Sequence, residues 1–307
     1  MVIVLLVLNK RAPKSLQNSI LFILHESQYR ERGKHGGRED RLKACFSEKF
    51  CIMLSKLCFK LPIPRPFIGQ STDMYCEEER RTAKNLEKVN FENKYVLDLG
   101  CGCGGQTVYF AQRKSTFVIG LDIDKTGLSA GILCAKNNKV NEKVDFVVGD
   151  ALHLPFRESA FEMIVANHVV EHVPQVLETL KQCKWILKQN GFLYTAFPSW
   201  FYPYAGHLCH VIAVPWCHFL FSKKTLINVV SLSMAPSISH TIWQFNNLSR
   251  ITIRRFRKIV ESLDFETVFY EEKPPLRSLS ILRFSPLFVK EFLVSNAVYV
   301  LQKRNAI

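Results

Sequence analysis

The sequence has no long hydrophobic run, no C-x-x-C pair, and fewer acidic than basic residues, 27 against 41. Its apolar start, Met1–Leu8, is eight residues long and is followed, not preceded, by Lys10 and Arg11. Eight residues are too short to cross a bilayer, and a signal peptide carries its positive charge ahead of its apolar segment. We therefore expect neither a membrane span nor a secretion signal, and we expect a cytoplasmic protein.

Ten cysteines are spread along the chain, and two of them, Cys101 and Cys103, lie in a glycine-rich segment. Free cysteine behaves as a small buried apolar residue, and proteins that are not secreted keep their thiols reduced. We expect reduced thiols, with neither a disulfide framework nor a zinc site.

The net charge of +14 is concentrated outside the central part of the chain. Residues 1–60 carry 12 basic and 5 acidic residues, residues 61–198 carry 16 of each, and residues 199–307 carry 13 and 6. Basic flanks attract phosphates, nucleic acid or the anionic inner face of a membrane. A solvated basic surface accounts for the same pattern, so both interpretations stay open.

The central part contains a short apolar segment that carries a carboxylate, Asp98, and then breaks into glycines. Gly100, Gly102 and Gly105 match G-x-G-x-x-G, which is typical of nucleotide-binding loops. A carboxylate beside this loop would repel a pyrophosphate, and this disfavours a dinucleotide and an oxidoreductase. It suits the ammonium and sulfonium groups of S-adenosylmethionine, so the sequence favours that cofactor.

Further apolar segments end in polar residues at regular intervals. They predict strands near 117–122, 144–151, 161–167 and 191–198, separated by helical patterns such as 173–187. Strands that alternate with helices predict a doubly wound, mostly parallel sheet, and ligands bind beyond the carboxyl ends of its strands. Asp98, Asp122, Asp150 and Asn167 all fall at such ends.

Residues 94–198 resemble a class I S-adenosylmethionine-dependent methyltransferase, with most similarity to the ubiquinone and menaquinone biosynthesis group. The matching segments are 97–104, 120–122, 149–156 and 171–173. The resemblance implies a seven-stranded Rossmann-like fold whose last strand, near 296–302, is antiparallel and inserted between strands five and six. It also implies the following cofactor-binding residues: Asp98, Gly100, Cys101, Gly102, Gly104, Asp122 (ribose), Ile123, Asp150 (adenine), Ala151 and Asn167.

The segment His168–His172 matches H-x-x-E-H, an inverted zinc-protease signature. On a helix, His168 and His172 would share a face and could bind zinc. Because the fourth strand is predicted to end at Asn167, the motif falls in a turn. We therefore expect no metal ion, and we interpret His172 as a residue at the rim of the pocket.

After the fifth strand, aromatics, prolines and histidines cluster between Pro198 and Phe221. We predict a substrate lid over residues 198–250, inserted into a methyltransferase domain of residues 93–307. Residues 41–92 are predicted to form a helical cap, and residues 1–40 a flexible extension. His207, His210 and His172 are the candidate bases for a small-molecule acceptor, because an oxygen acceptor needs a group that takes its proton.

The acceptor atom is left open, with oxygen favoured over carbon and nitrogen. A nucleic-acid methyltransferase is the main alternative, but the Asn/Asp-Pro-Pro-aromatic motif of base-amine methyltransferases is absent after the fourth strand. A non-catalytic scaffold of the same fold is a further alternative. Contact of the basic flanks with a membrane is kept as an option, and the sequence does not determine the oligomeric state.

Overall fold

The computed structural model describes residues 38–60, 76, 79–80, 83–86, 89–233, 238–273, 291–292 and 294–304. Most of the predicted extension, residues 1–37, lies outside this range. The strands are β1 (Tyr95–Leu99), β2 (Phe117–Asp122), β3 (Val144–Val148), β4 (Phe161–Asn167), β5 (Leu187–Phe197), β6 (Phe265–Lys273) and β7 (Asn296–Lys303). The helices are α1 (Arg38–Phe59), α2 (Gly105–Gln112), α3 (Lys125–Asn137), α4 (Val176–Ile186), α5 (Cys217–Leu220), α6 (Lys223–Ser231), α7 (Ile238–Asn247) and α8 (Ile253–Ser262), with a 3₁₀ helix at Ala83–Leu86.

The seven strands form one sheet in the order β3-β2-β1-β4-β5-β7-β6. The pairs among β1 to β5 are parallel, and β7 runs antiparallel to both β5 and β6. The doubly wound, seven-stranded fold and the inserted antiparallel last strand are therefore confirmed.

The hydrophobic core lies on both faces of this sheet because its central strands are apolar on both sides. In β1, Val96 packs into a cluster with α2, and the next residue, Leu97, packs into a cluster with α4 and α8. Successive strand residues point to opposite faces, so a continuous apolar strand supplies both clusters.

The helix before β5 is shorter than predicted, and β5 is longer. Helix α4 begins at Val176, and β5 follows it directly at Leu187 rather than at Gly191. Phe161 of β4 pairs with Leu187 of β5, and the register of the two strands shifts between Phe161 and Met163. Sequence periodicity does not reveal a helix that passes into a strand without a loop.

Helix α1 and the segment after β5 pack into one helical subdomain. Buried side chains of α1, among them Cys51 and Leu54, share a hydrophobic cluster with residues 208–214 and with α6. Ser55 Oγ donates to the carbonyl of Val211 at 3.2 Å and accepts from the amide of Ala213 at 2.9 Å. The sequence assigned these segments separately to a cap and a lid. In the structure they form one unit, called the helical subdomain below (α1, residues 198–233 and α7).

Among the described residues, no helix combines the length and the apolar character that a membrane crossing requires.

Candidate functional site

The glycine loop after β1 depends on three left-handed residues. Gly100, Gly102 and Gly104 have φ of 68°, 54° and 74°, a region that side-chain-bearing residues rarely adopt. The amides of Gly100 and Cys101 donate to the carbonyl of Leu121 at 2.7 and 3.1 Å. The loop is thereby tied to the end of the neighbouring strand β2.

Asp98 lies buried at the end of β1, with 3% of its surface exposed. Its Oδ2 accepts a hydrogen bond from Thr107 Oγ1 at 2.6 Å. Burial raises the pKa of this carboxyl to about 8, against the hydrogen bond from Thr107, and the nearby Glu79 and Asp122 raise it further. A buried acid with two acidic neighbours is a site that a cation would stabilise.

Asp122 ends β2 and is held by the backbone on both sides. Its Oδ2 accepts from the amide of Gly102 at 2.9 Å, and its Oδ1 accepts from the amide of Asp124 at 2.8 Å. Each oxygen keeps a lone pair for a further donor such as a ribose hydroxyl. The next residue, Ile123, is 61% exposed and offers an apolar surface at the same edge.

The remaining predicted cofactor residues follow β3 and β4 at the same edge of the sheet. Asp150 is exposed, and its Oδ1 accepts from the amide of Leu152 at 2.9 Å. Ala151 is half-buried beside it. Asn167 Nδ2 donates to Gln106 Oε1 at 3.3 Å, which links the end of β4 to the first turn of α2.

A third acid, Glu79, was not predicted from the sequence. Its Oε1 accepts from the amide of Cys103 at 3.3 Å, and its Oε2 accepts from the amide of Gly105 at 2.9 Å. Burial raises the pKa of Glu79 to about 7, with the two amides opposing that shift and Asp122 adding to it. Glu79 belongs to no motif, so only the folded chain reveals its contact with the loop.

Two of the predicted cofactor residues have packing roles as well. A Cβ at Gly104 would lie 2.6 Å from the ring of Phe146 and 2.9 Å from the Cα of Gly131, so glycine lets α2 and α3 pack closely. Cys101 is 4% exposed, and its Sγ lies beside Gly120 of β2. Their contact with a cofactor stays a prediction.

The three candidate bases do not lie together. His172 and His207 pack edge to face, with ring centroids 4.6 Å apart and planes at 84°. His210 instead pairs through Nε2 with Thr241 Oγ1 of α7 at 3.0 Å. Burial and the neighbouring His172 lower the pKa of His207 to about 3, so its ring is neutral near pH 7. The two histidines lie close to the glycine loop. Val169, three residues before His172, is the side chain that a Cβ atom added at Gly100 would contact.

The H-x-x-E-H segment forms a turn, as predicted, and α4 begins only at Val176. His168 Nδ1 lies 3.0 Å from Glu171 Oε1. The two histidines of the motif therefore do not share a helical face, and His172 meets His207 of the helical subdomain instead.

The chemistry of the loop fits a cationic ligand better than an anionic one. Glu79 and Asp122 both raise the pKa of Asp98, so three acidic side chains lie near one another at the loop. Three acids would repel the pyrophosphate of a dinucleotide and would attract a sulfonium and an ammonium group. The residues present therefore fit S-adenosylmethionine.

The seven-stranded sheet, with acidic residues at or just after the carboxyl ends of β1 to β3, matches the Rossmann-like methyltransferase fold. Comparison with known proteins agrees, because residues 97–195 match the sequence model of a family described as "Methyltransferase domain". Residues 97–195 thus carry the sequence pattern of a methyltransferase domain.

Several methyltransferases are similar in sequence to this domain. Norajmaline N-methyltransferase of Rauvolfia serpentina is 32% identical over 97 residues, which are 32% of this chain and 33% of that protein. Demethylmenaquinone methyltransferase of Lactobacillus johnsonii is 29% identical over 181 residues, 57% of this chain and 68% of that protein. Probable tocopherol O-methyltransferase of rice (Oryza sativa subsp. japonica) is 28% identical over 142 residues, 46% of this chain and 34% of that protein. For the first and third of these relatives, the matched part is about a third of their length.

Solved structures share the fold at low sequence identity. The S-adenosylmethionine-dependent methyltransferase from Mesorhizobium loti superposes with a TM-score of 0.51 and 14% identity, covering 76% of this chain and all of that one. This likeness supports the fold alone.

Proposed function

We propose that this protein transfers the methyl group of S-adenosylmethionine to a small-molecule acceptor, with an oxygen acceptor favoured over carbon and nitrogen. The observation that carries the proposal is the acid-lined glycine loop, in which buried Asp98 lies close to Asp122 and Glu79. When bound, S-adenosylmethionine would supply an electrophilic methyl group, which the acceptor attacks in line while the bond to sulfur breaks and S-adenosylhomocysteine leaves. The chain's part is to bind, orient and shield the reactants.

The relatives support a small acceptor but leave its atom open. Their names describe N-methylation of norajmaline, O-methylation of tocopherol and methylation of demethylmenaquinone. We propose the same general class for this chain, and the helical subdomain as the wall over the acceptor. No observation favours the nucleic-acid or scaffold alternatives.

We propose His172 and His207 as the polar residues that face the acceptor, since they join the turn after β4 to the helical subdomain. The neutral His207 ring can accept a hydrogen bond from an acceptor hydroxyl. His210 is a weaker candidate because its imidazole is engaged by Thr241.

Calorimetric titration with S-adenosylmethionine tests the cofactor, and a labelled-methyl screen of metabolite extracts tests the activity. His207→Ala should lower turnover while the dissociation constant for the cofactor stays within about twofold, and His210→Ala should lower turnover less. Absence of cofactor binding would refute the proposed function, and unchanged turnover in His207→Ala would remove that residue from the mechanism.

We further propose that the helical subdomain touches an anionic membrane surface. Its exposed residues combine large apolar side chains with lysines, and in the cytoplasm such a surface would face the inner leaflet. The residues are Phe50, Lys56, Phe59, Lys60, Phe219, Leu220, Lys223, Lys224, Leu232 and Trp243.

Sedimentation with vesicles tests this surface. We expect the protein to bind phosphatidylglycerol vesicles. This binding should weaken with added salt and in the double variant Lys223→Glu and Lys224→Glu. Equal sedimentation with neutral phosphatidylcholine vesicles, or none with either, would refute it.

A further inference from the structure

We propose that Glu171, His172 and His207 form a binding site for a divalent transition-metal ion, with Zn²⁺ the best fit to the ligand set. Two of the ligands come from the turn after β4, and the third comes from the helical subdomain. One potential ligand atom from each residue lies within 4.8 Å of the other two. The sequence predicted no metal ion, because His168 and His172 were expected to lie in a turn and not on one face of a helix.

The strongest support is a buried oxygen on Glu171. This residue is 4% exposed, and its Oε2 has no hydrogen-bond partner among the described residues. The other oxygen, Oε1, lies 3.0 Å from His168 Nδ1. A buried carboxylate oxygen without a hydrogen-bond partner carries a desolvation penalty, and a metal ion would remove that penalty.

The carboxylate is also fixed in place. The carbonyl of Glu171 accepts from the amide of Ser249 at 2.8 Å, which holds the turn. His168 thus stands as an outer partner that orients the carboxylate, an arrangement common around metal sites.

The ligand set is that of an open zinc site. Two imidazoles and one carboxylate leave a fourth tetrahedral position for water or substrate. Each imidazole offers a ring-nitrogen lone pair to the ion. With zinc–nitrogen bonds of about 2.0–2.1 Å, tetrahedral ligand atoms lie roughly 3.4 Å apart, so atoms that lie up to 4.8 Å apart must approach one another by up to about 1.4 Å.

This site stands independently of methyl transfer. Where the proposed function holds, the metal ion takes the place of the direct hydrogen bond between His207 and the acceptor, because a neutral imidazole has one ring-nitrogen lone pair. The open position lies where the helical subdomain meets the carboxyl edge of the sheet. A metal there would bind and polarise an oxygen of the acceptor. The inferred acceptor class is therefore one that offers a hydroxyl or enol oxygen.

The experiment uses the full chain, stripped of metal with a chelator and titrated with Co²⁺, which reports tetrahedral binding by its visible absorption. We expect one Co²⁺ ion to bind per chain and Zn²⁺ to displace it. Glu171→Gln and His207→Ala should each weaken binding at least about tenfold. His210→Ala is the matched control, because it removes another histidine of the helical subdomain and should keep Co²⁺ binding.

Thermal melting shows whether each variant is folded, and His207→Ala serves as the main test if Glu171→Gln is not. A flat Co²⁺ titration of the wild-type chain, or a titration unchanged by His207→Ala, would overturn the site. Calorimetry with S-adenosylmethionine on the same samples separates the two proposals. Cofactor binding without a Co²⁺ spectrum refutes only the metal site, and the reverse result refutes only the proposed function.

Discussion

The glycine loop and the helical subdomain are built in opposite ways. In the loop, the contacts of Asp98 with Thr107 and of Gly102 with Asp122 join residues 9 and 20 positions apart. In the helical subdomain, the contacts of Ser55 with Ala213 and of Glu48 with Asn228 join residues 158 and 180 positions apart. Local contacts leave a motif in the sequence, and distant contacts do not. The comparison implies that cofactor binding and acceptor binding can be perturbed separately.

The largest expected effect comes from Asp98→Asn, which removes the buried carboxyl group that a bound cation would hold in its ionised form. Loss of a buried partner to a cation costs about 2–5 kcal/mol, so affinity for S-adenosylmethionine should fall by about 30-fold or more. The cofactor-free protein should melt no lower than wild type, because burial already penalises the Asp98 carboxylate. Calorimetry and thermal melting measure the two effects. Asp145→Asn, an exposed residue of β3, is the control, and equal loss in both variants would contradict the assignment.

The next effect compares two glycines of the same loop. In Gly104→Ala, the new Cβ meets the Phe146 ring and the Gly131 backbone at positive φ, so the free energy of unfolding should fall by at least about 2 kcal/mol. In Gly102→Ala, the Cβ meets only Glu79 Oε1, at the end of a flexible side chain. That variant should lose less stability. Urea unfolding measures both, and the opposite order would show that Gly104 is not needed for packing.

A separate variant tests the helical subdomain. Ser55→Ala leaves the carbonyl of Val211 and the amide of Ala213 without their shared partner, which costs about 1–3 kcal/mol. Proteolysis within residues 198–233 should become faster, while cofactor affinity stays within about twofold. Ser129→Ala, on the exposed face of α3, should change neither property. A parallel loss of cofactor affinity in Ser55→Ala would show that the two regions are coupled.

A further test is the pH dependence of cofactor binding. Without ligand, the pKa values of Asp98 and Glu79 are raised to about 8 and about 7. A bound cation favours the ionised carboxyls, so protons leave on binding and affinity should rise between about pH 6 and about pH 8, by at most about tenfold per unit for each proton. Calorimetry in two buffers of different ionisation enthalpy counts the protons. Affinity that falls with pH would contradict the acid-lined site.

The sheet was predictable because its strands are continuous apolar segments with polar ends, a pattern that parallel strands require. The order and direction of β7 came from the family resemblance, and the structure confirms them. The direct passage from α4 into β5 was not predictable from periodicity, and it occurs beside a register shift in the β4–β5 pair.

In the candidate site, the sequence marked Asp98, Asp122, Asp150 and Asn167 because each lies at or just beyond the carboxyl end of a strand. It missed Glu79, Thr107 and Gln106, whose roles depend on side-chain contacts with the loop and with neighbouring strand ends. Thr107 and Gln106 stand in the first turn after the glycines, so a search of that turn could have found them. Glu79 offered no such signal.

The sequence by itself determined the alternation of strands and helices, the left-handed glycine loop and the acids beside it. These features arise from residues close in the chain, where spacing alone brings groups together. Only the tertiary structure decided that α1 packs with the segment after β5, and that His207 meets Glu171 and His172. Such contacts depend on how hydrophobic faces far apart in the sequence bury one another, which hydrophobic periodicity does not record.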